Sequence, residues 1–143
     1  MEDDTIKLLR ECNAGIKMGV STLDEVMEHV RDDKLRNLLA KSKETHTKLG
    51  NLTHEYLNEY HDAGKEPAVM AKMMSWLKTN VKLGGDDSDH MVADLITDGC
   101  NMGIKSLHQY LNEYQAADDK VKKLAGDVAK AEETLVTDLR QYL

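Results

Sequence analysis

The chain has 143 residues, 41% of them hydrophobic and 31% charged, with one proline, no phenylalanine and a net charge of −7. That composition fits one all-α domain with an aliphatic, methionine-rich core, since the aromatic residues that favour strands are scarce. The negative charge excludes nucleic acid and anionic membranes as partners, because phosphate binding needs clustered Lys and Arg. No run approaches the roughly 18 apolar residues of a membrane span.

The first helix is predicted over about residues 4–31, where Ile6, Leu9, Ile16, Val20, Leu23, Met27 and Val30 recur at intervals of three and four and Asn13 interrupts the stripe. Asp32-Asp33 caps a second helix carrying Leu35, Leu38, Leu49, Leu52, Tyr56 and Tyr60, with Gly64 and Pro67 ending it. A third helix is expected from about 88 to 116, after the Gly84-Gly85-Asp86-Asp87-Ser88 cluster. A fourth follows Asp118-Asp119 and uses Val121, Leu124, Val128, Leu135, Leu139 and Leu143. Short connections between the first and second helices, and between the third and fourth, make two antiparallel hairpins, about 4–63 and 88–143.

The hairpins are joined by residues 64–87, within which Met70, Met73, Met74, Trp76 and Leu77 give the segment 68–79 an apolar face. A short helix packed on the bundle is expected there, or a surface that adapts to a partner. Two cysteines and the polar start Met1-Glu2-Asp3-Asp4 are expected of a cytoplasmic protein with reduced thiols. Cys12 and Cys100 stand at different heights of antiparallel helices, which disfavours a mutual disulfide.

The two hairpins are copies of one another. Cys12–Glu25 aligns without a gap to Cys100–Glu113 with seven of fourteen positions identical, and Cys12-Asn13-x-Gly15-Ile16-Lys17 recurs as Cys100-Asn101-x-Gly103-Ile104-Lys105. Further on, Asp32-Asp33-Lys34 matches Asp118-Asp119-Lys120, and Leu38, Leu49 and Tyr56 match Leu124, Leu135 and Tyr142. Each hairpin has a face it cannot bury alone, so two closing on one another give a four-helix bundle.

A duplicated antiparallel hairpin with a long crossover resembles the ferritin-like superfamily over nearly the whole chain. The segment Thr97-Asp98-Gly99-Cys100-Asn101-Met102-Gly103-Ile104-Lys105-Ser106-Leu107 also resembles an uncharacterised bacterial group within it. The resemblance implies a test for a di-iron centre, because metal-binding members carry one Glu on the first helix of each hairpin and Glu-x-x-His on the second. His46 and Glu132 each lie about 21 Å from the turn that precedes their helix, near mid-height. At that height the other helices carry Ile16-Lys17 and Ile104-Lys105, and the residues three before His46 and Glu132 are Lys43 and Ala129. The ligand set is absent, so no catalytic residue, cofactor or metal is expected, and Lys17 and Lys105 are read as partners of Glu44, Glu132 or Glu133.

The expected function is that of a metal-free binding or structural protein, self-associating or joined to an unidentified protein partner. Paired segments Tyr56–Tyr60 and Tyr110–Tyr114 lie towards one pole and offer surface for it. The alternative is a metal-dependent oxidase or a store for iron, manganese or zinc, built on His46, Glu132 and His108. A further alternative is histidine phosphotransfer, since His46-Thr47-Lys48-Leu49-Gly50 resembles His-x-Leu-Lys-Gly with Leu and Lys exchanged. Asn13, Asn101 and His108 are expected as polar groups within the core, with Asn13 contacting His108 at equal height.

Overall fold

A computed structural model describes residues 2–62 and 88–143. The four helices are α1 (Glu2–Met27), α2 (Asp33–Glu59), α3 (Ser88–Glu113) and α4 (Asp119–Leu139), followed by a 3-10 turn, Arg140–Tyr142. The all-α four-helix bundle expected from the repeat is the observed architecture. The short helix and Met-rich face expected between the hairpins lie outside the described residues.

Local chemistry sets the helix ends. Asp32 caps α2 by accepting a hydrogen bond from Leu35 N at 2.9 Å, as its sequence position predicts. Asp118 heads α4 without a side-chain cap bond, and its carboxylate accepts a hydrogen bond from the Tyr60 hydroxyl instead. α1 stops at Met27, four residues before the expected end. There Val30 turns into the core, Arg36 bonds to its carbonyl, and Asp89 accepts from Arg31 N and Asp32 N at 2.7 and 3.0 Å. α2 also ends early. Asp62 N bonds to Leu57 O and His61 adopts a left-handed φ of 55°, closing the helix before Gly64 is reached.

Contacts between helix ends fix the topology. Ala116 N and Asp118 N bond to Asp4 and Thr5, while Lys120 pairs with Glu59. One pole therefore gathers the start of α1, the end of α2 and the α3–α4 turn. The Asp89 bonds put the start of α3 beside the α1–α2 turn at the other pole. Hence α1 runs antiparallel to α3, α2 runs parallel to α3, and the chain between Asp62 and Ser88 links opposite poles.

The core lies in two parts along the bundle axis. Near the first pole, Leu8, Leu9, Leu57, Leu107, Val121 and Leu124 pack together, with Tyr56, Tyr60, Tyr110 and Tyr114 half-buried against them. Near the second pole, Val26, Leu35, Leu39, Val92, Ile96 and Leu139 form the other cluster. The two Tyr segments thus close one end of the bundle, Tyr110 and Tyr114 stacking with ring centroids 6.2 Å apart. Burial at about 25 cal/mol per Å² of apolar surface makes these clusters the main stabilising element of the fold.

Candidate functional site

Between the two apolar clusters the bundle has a polar waist. His46 on α2 is 2% exposed and Glu132 on α4 is 8% exposed, and both line a cavity of about 70 Å³. They occupy equivalent positions of the repeat, since each follows the Asp that caps its helix by the same number of residues. The sequence places both at mid-height, and the structure brings them to one site.

The other two helices contribute glycine. Gly15 and Gly19 on α1, with Gly99 and Gly103 on α3, line the same cavity, so its walls there are bare backbone. A Cβ at Gly19 would stand 3.2 Å from His46 Cδ2, and one at Gly103 only 2.7 Å from both Glu132 carboxyl oxygens. At Gly15 and Gly99 a Cβ would meet open space. The sequence signal was two Gly-x-x-x-Gly spacings, which place both glycines of each pair on one helix face. Only Gly15 and Gly103 stand out from the repeat; Gly19 and Gly99 do not, because they are not repeat mates.

The imidazole is fixed in one tautomer. His46 Nδ1 lies 2.8 Å from Ser42 O, which can only accept, so Nδ1 donates its proton and Nε2 keeps a lone pair on the side facing Gly19. Burial lowers the His46 pKa from its ordinary value, the Ser42 bond opposing it in part, which favours the neutral ring. Glu132 has no such support. Its Oε2 has no hydrogen-bond partner among the described residues, and burial pushes its pKa up to about 8. The acid is therefore mostly protonated near neutrality, the state in which a buried carboxyl without a counter-charge persists. Cys100 also faces the cavity, its thiol pushed up to about 12 by burial and then by Glu132.

Several expectations need correction. Asn101 and His108 are exposed rather than in the core. The buried stripe of α3 passes through Val92, Ile96, Cys100 and Leu107, and each of the two follows a stripe residue by one position, about 100° around the helix. Asn13, the repeat mate of Asn101, is 1% exposed because α1 packs against all three other helices and is covered over a wider arc. The contact expected with His108, direct or through water, is not made as a direct hydrogen bond: Asn13 Nδ2 has no hydrogen-bond partner among the described residues. His108 is likewise remote from the cavity lining that holds His46 and Glu132. Lys105 is exposed and Glu44 pairs with Lys48 at 3.3 Å; neither Lys17 nor Lys105 pairs with Glu132. Cys12 and Cys100 are both free thiols, as expected.

A duplicated bundle with a cavity at its waist defines a class by architecture. No family model and no curated protein matches the sequence. Among solved structures the fold is similar to that of a DUF305 fragment from Deinococcus radiodurans, with a TM-score of 0.78 and 11% identity, over 96% of this chain and 93% of that one. At that identity the likeness speaks for the fold alone. No helix among the described residues is long and apolar enough to cross a membrane.

Proposed function

We propose that the chain is a ferritin-like bundle without a di-metal centre, which works as a binding protein through its waist cavity. The duplicated hairpins, the parallel α2 and α3, and the link between opposite poles support the ferritin-like assignment. One observation carries the rest: beside His46 and Glu132, α1 and α3 line the cavity with Gly15, Gly19, Gly99 and Gly103 and, among the described residues, with no carboxylate.

The residues present do not fit a di-metal centre. The cavity offers one imidazole nitrogen, one carboxyl and one thiol that burial keeps protonated, and no group of three or more His, Cys, Asp or Glu among the described residues can hold an ion. Two metals bridged by carboxylates need several more donors. Phosphotransfer requires an imidazole open to a phosphodonor, whereas the His46 ring is enclosed and one of its nitrogens is committed to Ser42.

Elemental analysis of protein purified without chelator or affinity tag tests the proposal. Iron, manganese and zinc well below one equivalent are expected. Stoichiometric metal that disappears in His46→Ala or Glu132→Gln would overturn it.

A further inference from the structure

The two polar groups that meet at the waist are complementary to the same kind of ligand. His46 Nε2 is an acceptor, because Nδ1 carries the ring proton and donates its N–H to Ser42 O. Glu132 holds a carboxyl oxygen without a partner among the described residues, although the residue is only 8% exposed. Among the described residues no lysine or arginine lines the cavity; the Thr22 hydroxyl and Cys100 thiol are the other hydrogen-bonding side chains there. The titratable groups that line it with Glu132 are, among the described residues, His46 from α2 and Cys100 from α3, and α1 adds none.

We propose that the waist cavity is a binding site for a small primary alkylammonium ion, its N–H groups donated to His46 Nε2 and the Glu132 carboxylate and its alkyl chain against Leu23, Ile96 and Leu135. The proposal rests on the binding function argued above and names its ligand class. Size limits the ligand: a 150 Å³ cavity accommodates benzene, so the waist at about 70 Å³ suits roughly three or four non-hydrogen atoms. Charge selects a cation, since a bound ammonium gives the buried carboxylate the counter-charge that none of the described residues lining the cavity supplies, and the proton of Glu132 leaves to solvent as it binds. Geometry selects an ammonium over a metal ion, because tetrahedral N–H donors are satisfied by one nitrogen and one carboxylate, whereas a metal needs a fuller ligand shell. Gly15 and Gly99 line the cavity, and a Cβ at either would meet no atom within 4 Å, so the space there is open.

Titration of the full-length, metal-free protein with n-propylammonium chloride, followed by thermal shift and by amide chemical shifts, tests this. Propan-1-ol serves as the uncharged counterpart, tetramethylammonium as a cation without N–H donors, and zinc chloride as the metal. Saturable one-site binding of n-propylammonium with Kd of about 1 mM is expected, well within the ceiling for a ligand of so few atoms. It should weaken at least tenfold in Glu132→Gln. That variant alters the formal net charge of −7 by at most one, too little for a general attraction of cations to fall so far. The double variant Gly15→Ala/Gly99→Ala fills the space without touching either polar group, and it should lose binding while its circular dichroism stays native and its melting temperature does not fall. Equal binding of propan-1-ol or tetramethylammonium, or no binding by any probe, would overturn the ammonium site and leave the metal-free reading standing. Stoichiometric zinc that requires His46 and Glu132 would overturn both.

Discussion

Replacing Glu132 with Gln should remove a pH dependence of folding that few four-helix bundles would show at neutral pH. Burial raises its pKa from the ordinary 4.5 to about 8. A carboxyl with a raised folded pKa favours the folded state by holding its proton there. That contribution is complete below about pH 4.5 and is lost as pH climbs to about 8, because in this window the unfolded carboxyl is ionised and the folded one is not. Each pH unit in between costs about 1.4 kcal/mol, so the loss across the window is of the order of 4–5 kcal/mol. This is a large share of the roughly 5–15 kcal/mol that stabilises a domain. Urea denaturation of the native and Glu132→Gln proteins at several pH values measures it through the midpoint, given a urea slope of about 1–3 kcal/mol per M. The His46 contribution has the opposite sign. Its lowered pKa gives stability present above the ordinary 6.5 and lost as pH falls, so the interval from pH 6.5 to 8 belongs to Glu132. Gln leaves an amide of similar shape whose own cost does not vary with pH. The native protein should therefore weaken relative to the variant across that interval. Parallel stability profiles there would refute the reasoning, since Glu132 would then be ionised in the folded protein and hold a counter-charge.

Gly15→Ala should stabilise the bundle by about 0.5–1 kcal/mol through helix propensity, its Cβ meeting open space. Gly103→Ala should be less stable than Gly15→Ala by about 1–2 kcal/mol, because its Cβ displaces the enclosed Glu132 carboxyl; melting temperatures in the reverse order would contradict the waist geometry. Asp32→Ala should cost about 1 kcal/mol in urea unfolding by removing the bond to Leu35 N, and an unchanged midpoint would show that the cap is not formed. Both thiols are pushed up to about 12 by burial, so iodoacetamide at pH 8 should leave Cys12 and Cys100 unmodified in the native protein and label both in urea. Mass spectrometry reads the result, and fast native labelling of Cys100 would mean that the cavity is open to reagents.

Features set by short-range chemistry or by axial distance were legible in the sequence. Asp32 is a cap because a carboxylate before a helix finds an unpaired N–H within three residues. His46 and Glu132 fall at one level because rise per residue is constant. Angular position was harder, because a helix turns about 100° per residue and a single step separates Cys100 from Asn101. The repeat made Asn13 and Asn101 equivalent in sequence, yet burial depends on neighbours, and α1 has three packed helices where α3 has less cover. The glycines were harder still. Their meaning lies in which helix faces them, and Gly19 and Gly99 meet the cavity only through the antiparallel pairing of α1 with α3.

Stability alone does not account for the waist. Glycine within a helix costs roughly 0.5–1 kcal/mol relative to alanine, and the space at Gly15 and Gly99 would accept the methyl group. The same level carries Glu132, whose Oε2 has no hydrogen-bond partner among the described residues and whose burial costs several times as much near neutral pH. Above and below it, leucine and valine pack in the ordinary way, with Leu9, Leu35, Leu39, Val92, Val121 and Leu139 fully buried. Unfavourable choices gathered at one height, between two well-packed clusters, are the pattern that the proposed binding site would explain. The duplication sharpens this: equivalent positions of two copies of one hairpin carry an imidazole on one side and a carboxylic acid on the other. Two identical groups would serve a symmetric core contact equally well, whereas a lone-pair nitrogen opposed to an ionisable acid suits a bound species that brings both hydrogen-bond donors and charge.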